Sequence, residues 1–224
     1  MSQGTRSPRL SPAKAYPVRR FPTGSATPVT VRSVPSHDDA ITLGILAGGQ
    51  ATRLGGRDKA WMTRGGNPLV LALAERFAQE VEATIVSANR NAERYLSHGL
   101  RAIHDRFAGI GPLGGIDALA AACQTPWLLT VPVDVVGVND CLVRSLLAAG
   151  AQGAWAEDDD GPQPLVALWP APALREGAAA AVRSGDHAVH ALQSRMGMVQ
   201  VRFPGLRFGN LNTPGDLDAA GVAS

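Results

Sequence analysis

The stretch LAGGQATRLGGRDK at residues 46–59 holds the residue types best placed to do chemistry. Gly48, Gly49, Gly55 and Gly56 free the backbone to take positive φ and to approach a ligand closely. Successive N–H groups in such a loop, with a helix N-terminus behind it, form a nest for phosphate oxygens. Arg53 can fork onto two oxygens, and Lys59 adds a point charge at the end of the loop. Both suit a nucleoside triphosphate under attack at phosphorus, where negative charge gathers. The loop is not an ATPase P-loop, because GxxxxGK with a following Ser or Thr is absent, and GxGxxG is also missing after the first strand. A glycine loop alone also fits a tight strand-to-helix turn. Arg53, Lys59 and a strand end bearing Asp134 favour phosphate.

Nucleotidyl transfer also needs a hard oxygen ligand for Mg2+ bridging the phosphates. Asp134, at the exit of an apolar strand, is the best candidate, ahead of Asp105 and the Asp158-Asp159-Asp160 run. A carboxylate in that position can equally cap a turn. The acidic run falls in an expected hairpin and reads as a solvated turn. His104, His187 and His190 lack a nucleophile or ligand spacing and read as structural. No GxSxG or Cys–His arrangement supports hydrolase chemistry.

The elements that must position these groups show in the hydrophobic pattern. Residues 41–46 form a short β-favouring apolar run that stops at Gly48-Gly49. Leu69, Leu73, Ala74, Phe77 and Val81 recur at helical spacing, which predicts an amphipathic helix over 68–81. Strands are predicted at 83–88, 100–104 and 127–132, with an alanine-rich helix at 116–123 after the GIGPLGG segment. Four strands would then end in turn at Gly48, Asn89, Asp105 and Asp134. Strand and helix alternate with short connections, so an α/β fold is expected, a mostly parallel sheet between helical layers. Ligands of open α/β sheets bind outside the carboxyl ends of the strands. Further on, strands are expected at 153–156, 164–169 and 199–203, and helices at 172–184, 188–195 and 214–220, the last with Pro214 in its first turn.

Composition sets the limits around this domain. The chain has 224 residues, 45% of them hydrophobic and 18% charged, as in ordinary globular proteins. Residues 1–38 hold Pro8, Pro12, Pro17, Pro22, Pro28 and Pro35 among Ser, Thr and Arg, which predicts a disordered extension before a domain at 39–224. Six cations and no acidic residue lie before His37. Of the 21 basic residues, fifteen remain against 19 acidic ones, so the domain is mildly acidic and a nucleic-acid-binding face has no support. No apolar run reaches the roughly 18–20 residues of a membrane-spanning helix. Cys123 and Cys141 are far apart and form no metal motif, which suggests a reduced, cytoplasmic protein.

The string LAGGQATRLGGRDKA resembles the LAGGxSxRMGxDK signature of molybdenum cofactor guanylyltransferases, the MobA-like nucleotidyltransferases. The resemblance continues at Ser87-Ala88-Asn89-Arg90, His104-Asp105, residues 111–115 (GPLGG), residues 131–134 (VPVD) and residues 210–214 (NLNTP), in order across 41–220. It implies a Rossmann-like nucleotidyltransferase fold, a three-layer sandwich. It implies transfer of GMP from GTP to molybdenum-molybdopterin, with release of pyrophosphate. Leu46, Ala47 and Gly48 would meet the nucleotide through the loop backbone and Lys59 its phosphates. Asn89 and Asp105 match nucleotide-contacting positions, Asp134 matches the magnesium-holding aspartate, and Asn210 and Asn212 would shape the pterin side or brace the loop. The resemblance further implies a monomer that meets molybdenum-insertion proteins and apo-molybdoenzymes transiently. The chain departs from the signature in three places. Leu54 stands for Met, a volume-conserving swap. Gly215 stands where an acidic residue is common, which removes a helix-terminus charge worth ~0.3–1 kcal/mol. The family's aspartate is followed by Thr-Pro or a similar pair, whereas Val135-Val136-Gly137 follow Asp134 here, so an altered turn is expected. Cytidylyl or sugar-phosphate transfer on the same fold, or a non-catalytic nucleotide-binding module, are the competing readings.

Overall fold

The computed structural model describes residues 18–19, 39–48, 58–209, 211 and 214–223. Its strands are β1 (Val18–Arg19), β2 (Ile41–Leu46), β3 (Thr63–Arg64), β4 (Asn67–Pro68), β5 (Ala83–Ser87), β6 (Arg101–Ile103), β7 (Trp127–Pro132), β8 (Ala154–Asp158), β9 (Gly161–Pro170), β10 (Val199–Arg202) and β11 (Val222–Ala223). Its helices are α1 (Leu69–Phe77), α2 (Ala92–Ser97), α3 (Pro112–Ala122), α4 (Leu142–Leu147), α5 (Ala171–Ser184), α6 (Val189–Arg195) and α7 (Pro214–Ala219), with one 3-10 turn at Lys59–Trp61.

The central sheet has eight strands in the order β1-β10-β8-β9-β7-β2-β5-β6. β9 runs antiparallel to both its neighbours, and every other pairing in this sheet is parallel. Period-two alternation divides the strand side chains between two cores. Ile41, Leu43, Ile45, Leu129 and Val131 pack toward α1, α4 and Tyr95 of α2, while Leu46, Ile85, Leu128 and Trp169 pack toward α3, α5 and α6. This is the expected three-layer α/β sandwich. Gly44 lies under α3: a Cβ there would lie 2.9 Å from Leu119 Cδ1 of the helix and 3.0 Å from Leu128 Cδ1 of the neighbouring strand. A small antiparallel sheet, β11-β3-β4, lies outside the main one. Gly65 and Gly66 close its β3–β4 hairpin with φ of 60° and 84°, conformations that favour glycine.

Several elements differ from the sequence expectation. The first amphipathic helix stops at Phe77 instead of running to 81, because residues 78–80 form a turn. Helix α3 begins at Pro112, not at 116, so GPLGG is its first turn and not a loop; Pro at the start of a helix sacrifices no hydrogen bond. The short helices α2 and α4 and the β3–β4 hairpin had no strong periodic signal. Val18–Arg19 pair in parallel with Gln200 and Val201 on the edge of β10. Residues 1–17 and 20–38 lie outside the described residues. Among the described residues, no helix is long and apolar enough to cross a membrane.

The join between β7 and β9 is polar at one buried point. Trp169 Nε1 donates to Thr130 Oγ1 at 2.8 Å, and that hydroxyl donates on to Leu165 O at 2.8 Å. Trp169 and Thr130 are both fully buried. Thr130→Val keeps the shape but leaves the indole N–H without a partner. It should cost about 1–3 kcal/mol, read as a lower midpoint in urea unfolding.

Candidate active site

Parallel pairing sets the ends of four strands in one row. Leu46 is in register with both Ser87 and Pro132, and Ser87 with Ile103. The ladder runs one bond further, through Ala47 N to Ser87 O (3.0 Å), Ala88 N to Ile103 O (3.0 Å) and Val133 N to Leu46 O (3.1 Å). Asp134, Gly48, Asn89 and Asp105 each follow two residues after their strand. The four are therefore brought together along one rim, in the spatial order β7, β2, β5, β6.

On the β7 side, Lys59 Nζ donates to Asp134 Oδ2 at 3.0 Å, with both side chains about one-fifth exposed. Lys59 opens the 3-10 turn that follows the glycine loop. Asp58 caps that turn by accepting from Ala60 N at 3.2 Å, and its other oxygen accepts from Asn91 Nδ2 at 3.2 Å. Asn91 has a φ of 57°, a conformation that Asn tolerates better than most side chains. The loop end is thus tied to the segment after β5. Beneath it, Trp61 packs on Tyr95 at 5.0 Å between ring centroids, and the Arg94 guanidinium lies 4.0 Å above the Trp61 ring. Burial, and then the charge of Asp58, push the Tyr95 phenol above its ordinary pKa.

On the β5–β6 side, Asn89 and Asp105 hold each other reciprocally. Asn89 Nδ2 donates to Asp105 Oδ2 at 2.9 Å, and Asp105 N donates to Asn89 Oδ1 at 2.9 Å. The buried Ser87 hydroxyl adds a 3.0 Å bond to Asp105 Oδ1. The next residue fixes the loop from behind: Arg106 donates two bonds, 2.9 and 2.7 Å, to Asp117, which is buried in α3. Those bonds hold the Arg106 guanidinium above its already high ordinary pKa.

The first turn of α3 closes the floor between these groups. A Cβ on Gly115 would lie 2.6 Å from Ser87 Oγ and 3.0 Å from Leu46 Cδ2; one on Gly114 would lie 3.0 Å from Phe107 O. Gly115 thus serves helix–sheet contact, and Gly114 the contact of the helix with the loop after β6. Gly48 does not take the positive φ expected of it, and a Cβ there would make only ordinary contacts, 3.7 Å to Ser87 Oγ and 3.9 Å to Asn89 Nδ2. The space over Gly48 is bounded by site side chains and not by packing.

Leu46 ends β2 largely buried, so of that trio Ala47 and Gly48 face the rim more openly. Arg53, Gly49, Gly55, Gly56, Asn210 and Asn212 lie outside the described residues. His104 and His190 are exposed, and His187 is partly buried. Asp159 and Asp160 form the exposed hairpin turn expected of the acidic run, but Asp158 departs from it. Asp158 is fully buried, and accepts from Asp160 N at 2.9 Å, Gln163 Nε2 at 3.2 Å and Phe208 N at 2.7 Å. Sequence reasoning also missed Asp58, Asn91 and Gly115 as supports of the site. The Asp-Lys and Gly-Gly pairs were visible, but their partners are long-range contacts that periodicity does not report. Among the described residues, no group of three or more His, Cys, Asp and Glu side chains could hold a metal unaided.

The MobA-like NTP transferase domain model matches residues 43–199. A molybdenum cofactor guanylyltransferase of Cereibacter sphaeroides is 40% identical over 182 residues, which is 79% of this chain and 93% of that protein. One from Shewanella putrefaciens is 36% identical over 161 residues, covering 70% and 80%. Among solved structures, a molybdopterin-guanine dinucleotide biosynthesis protein A from Archaeoglobus fulgidus superposes with a TM-score of 0.64 at 22% identity, covering 80% of this chain and 96% of that one. The 2-C-methyl-D-erythritol 4-phosphate cytidylyltransferase of Thermus thermophilus gives 0.59 at 18% identity, covering 80% and 96%. These likenesses extend across the flush strand ends and both walls of the rim, and the chain belongs to the MobA-like NTP transferase family.

Proposed function

We propose that this nucleotidyltransferase moves GMP from GTP onto the terminal phosphate of molybdenum-molybdopterin, giving the guanine dinucleotide form of the cofactor and pyrophosphate. The observation that carries the reading is the single rim that holds Lys59 and Asp134 at one end and Asn89 and Asp105 at the other. The guanylyltransferase names of relatives at 36–40% identity support the choice of base and acceptor.

In the transfer, a phosphate oxygen of molybdopterin bonds to the α-phosphorus of GTP. The bond from that phosphorus to the α–β bridging oxygen breaks, and pyrophosphate leaves with the oxygen. Ala47 and Gly48 let the nucleotide lie against bare backbone. Asn89 and Asp105, locked to each other, offer a fixed acceptor and donor set to its sugar and base side. Lys59 leaves Asp134 for the phosphates and offsets the charge that develops on the leaving group. Arg53 adds a forked contact in this reading. Prepaid orientation of this kind lowers the barrier without moving any group far.

Mg2+ suits Asp134. The carboxylate already faces a cation, the Lys59 ammonium at 3.0 Å. One carboxylate plus triphosphate oxygens is a normal magnesium donor set. Asp134 would hold the ion, which would supply positive charge to offset that of the phosphates. Asn210 and Asn212 belong to the pterin side in this reading. Cys123 and Cys141 are both free thiols, which suits a reducing cytoplasm. The protein acts as a monomer that meets molybdenum-insertion proteins and apo-molybdoenzymes in passing.

Purified protein given molybdopterin and Mg2+ should release pyrophosphate from GTP and stop when EDTA is added. Turnover with CTP alone, or with a sugar phosphate as acceptor, would sink the guanylyl assignment; tight GTP binding without turnover would favour a non-catalytic module. Asp134→Ala should lower kcat by at least about 100-fold, the scale of losing one charge-stabilising group, with the melting temperature near wild type. Near-normal turnover would remove Asp134 from the reaction. Gly115→Ala should push the Ser87 hydroxyl off Asp105. GTP binding, measured by calorimetry, should then weaken by roughly tenfold, the cost of one hydrogen bond to a charged group.

A further inference from the structure

The turn that carries Asp134 is held from a distance. Val135 N donates back to Pro132 O at 3.2 Å, which places Asp134 inside a β-turn. The next two amides, Val136 N and Gly137 N, both donate to Phe208 O at 2.9 Å. Phe208 in turn donates its own N–H to the Asp158 carboxylate at 2.7 Å. Gly137 permits the approach, since a Cβ there would lie 2.1 Å from Arg207 O. Phe208 is fully buried and packs on Phe203 at 5.7 Å, so the connecting peptide has no water to substitute for these bonds.

The hairpin tip between β8 and β9 grips the same segment at several other points. Asp159 N donates to Leu206 O at 2.9 Å, and Gly205 N donates to Asp159 Oδ2 at 3.0 Å. Arg207 pairs with Asp160 at 2.7 Å, but that pair is largely exposed. Only Asp158 is buried among them, and only its bond continues through a peptide to the turn behind Asp134.

We infer that Asp158 is a positioning residue for Asp134, acting through the Phe208 peptide and the Val136 and Gly137 amides. The carboxylate anchors Phe208 N–H, the Phe208 carbonyl anchors the turn, and the turn aims the Asp134 side chain at the nucleotide's metal-binding phosphates. The inference rests on the proposed role of Asp134 in holding Mg2+. A carboxylate is required at 158 because a bond to an ionised acceptor is about twice as strong as a neutral one. Three N–H donors converge on it, and no neutral side chain of that size accepts from all three equally well.

The test compares full-length Asp158→Asn and Gly137→Ala with wild type. The first weakens the anchor, and the second pries Arg207-Phe208 off the turn from the other side. Hydrogen exchange is read in the ligand-free proteins, Mn2+ affinity by electron paramagnetic resonance in the presence of GTP, and the half-saturating Mg2+ concentration in turnover. Both variants should speed exchange at the Val136 and Gly137 amides while Leu129 in the sheet stays protected. Both should weaken Mn2+ binding and raise the magnesium midpoint about tenfold, the worth of one charged hydrogen bond, while the KM for GTP stays within about twofold. Asp160→Asn, which breaks only the exposed pair with Arg207, should leave the midpoint unmoved. Unchanged Mn2+ affinity in both variants overturns the inference, whether or not the turn amides exchange faster. So does a uniform rise in exchange across the sheet, which would mark Asp158 as a general stability residue. If Asp158→Asn does not yield folded protein, Gly137→Ala decides alone. Mn2+ binding needs no turnover, so a wrong acceptor or a silent enzyme would sink the proposed function and leave this comparison standing.

Discussion

Parallel pairing of β7, β2, β5 and β6 puts Pro132, Leu46, Ser87 and Ile103 in one row, and every group in the site depends on that register. Side chains in a strand alternate faces, so a slip of one residue would carry Leu43 and Ile45 out of one core and into the other. Both cores are filled, so no such slip is tolerated. The cost of misregister, roughly 1–3 kcal/mol for each large side chain forced into a filled core, therefore protects the alignment of Asp134, Gly48, Asn89 and Asp105. The catalytic geometry inherits its precision from hydrophobic packing some distance below it.

The rim built on that register is electrostatically balanced at rest. Lys59 and Asp134 neutralise each other, and Asn89 takes up the carboxylate of Asp105 together with Ser87. No unpaired charge is left partly buried at these positions, which would be costly. Under the proposed function, the same pairing would keep the lysine and the aspartate close to the phosphates and the metal. In that proposal a triphosphate with its cation would replace one ion pair by two, trading like for like instead of exposing new charge.

Much of this was legible in the sequence, for a definable reason. β2 and β7 are short apolar runs bounded by Gly48 and by Pro132-Val133-Asp134, and both strands have the limits the pattern implies. Signature residues at each strand exit then located both ends of the rim. What periodicity could not reveal is contact between distant segments. The pattern starts the helix at 116, after GPLGG, yet α3 begins at Pro112, and residue 115 is glycine because Ser87 and Leu46 leave no room for a side chain. Asp158 reads as solvated because three acidic residues in a row normally are, yet the partner that buries it lies fifty residues away in the chain.

The turn after Asp134 shows how such long-range contact can compensate for a local departure. A proline in the second position after the aspartate would supply a fixed φ and no N–H. Here Val136 has an N–H, and that donor would be an unsatisfied buried group if nothing met it. Phe208 O meets it, and takes the Gly137 N–H as well, so two hydrogen bonds supply the constraint that a ring would otherwise impose. The arrangement also has a consequence that a proline would not. Rigidity at Asp134 becomes dependent on the β8–β9 hairpin, because Phe208 is held by Asp158. The acidic run, which looks from the sequence like a surface feature remote from the glycine loop, is thereby connected to the loop's own lysine through the carboxylate they share an interest in placing.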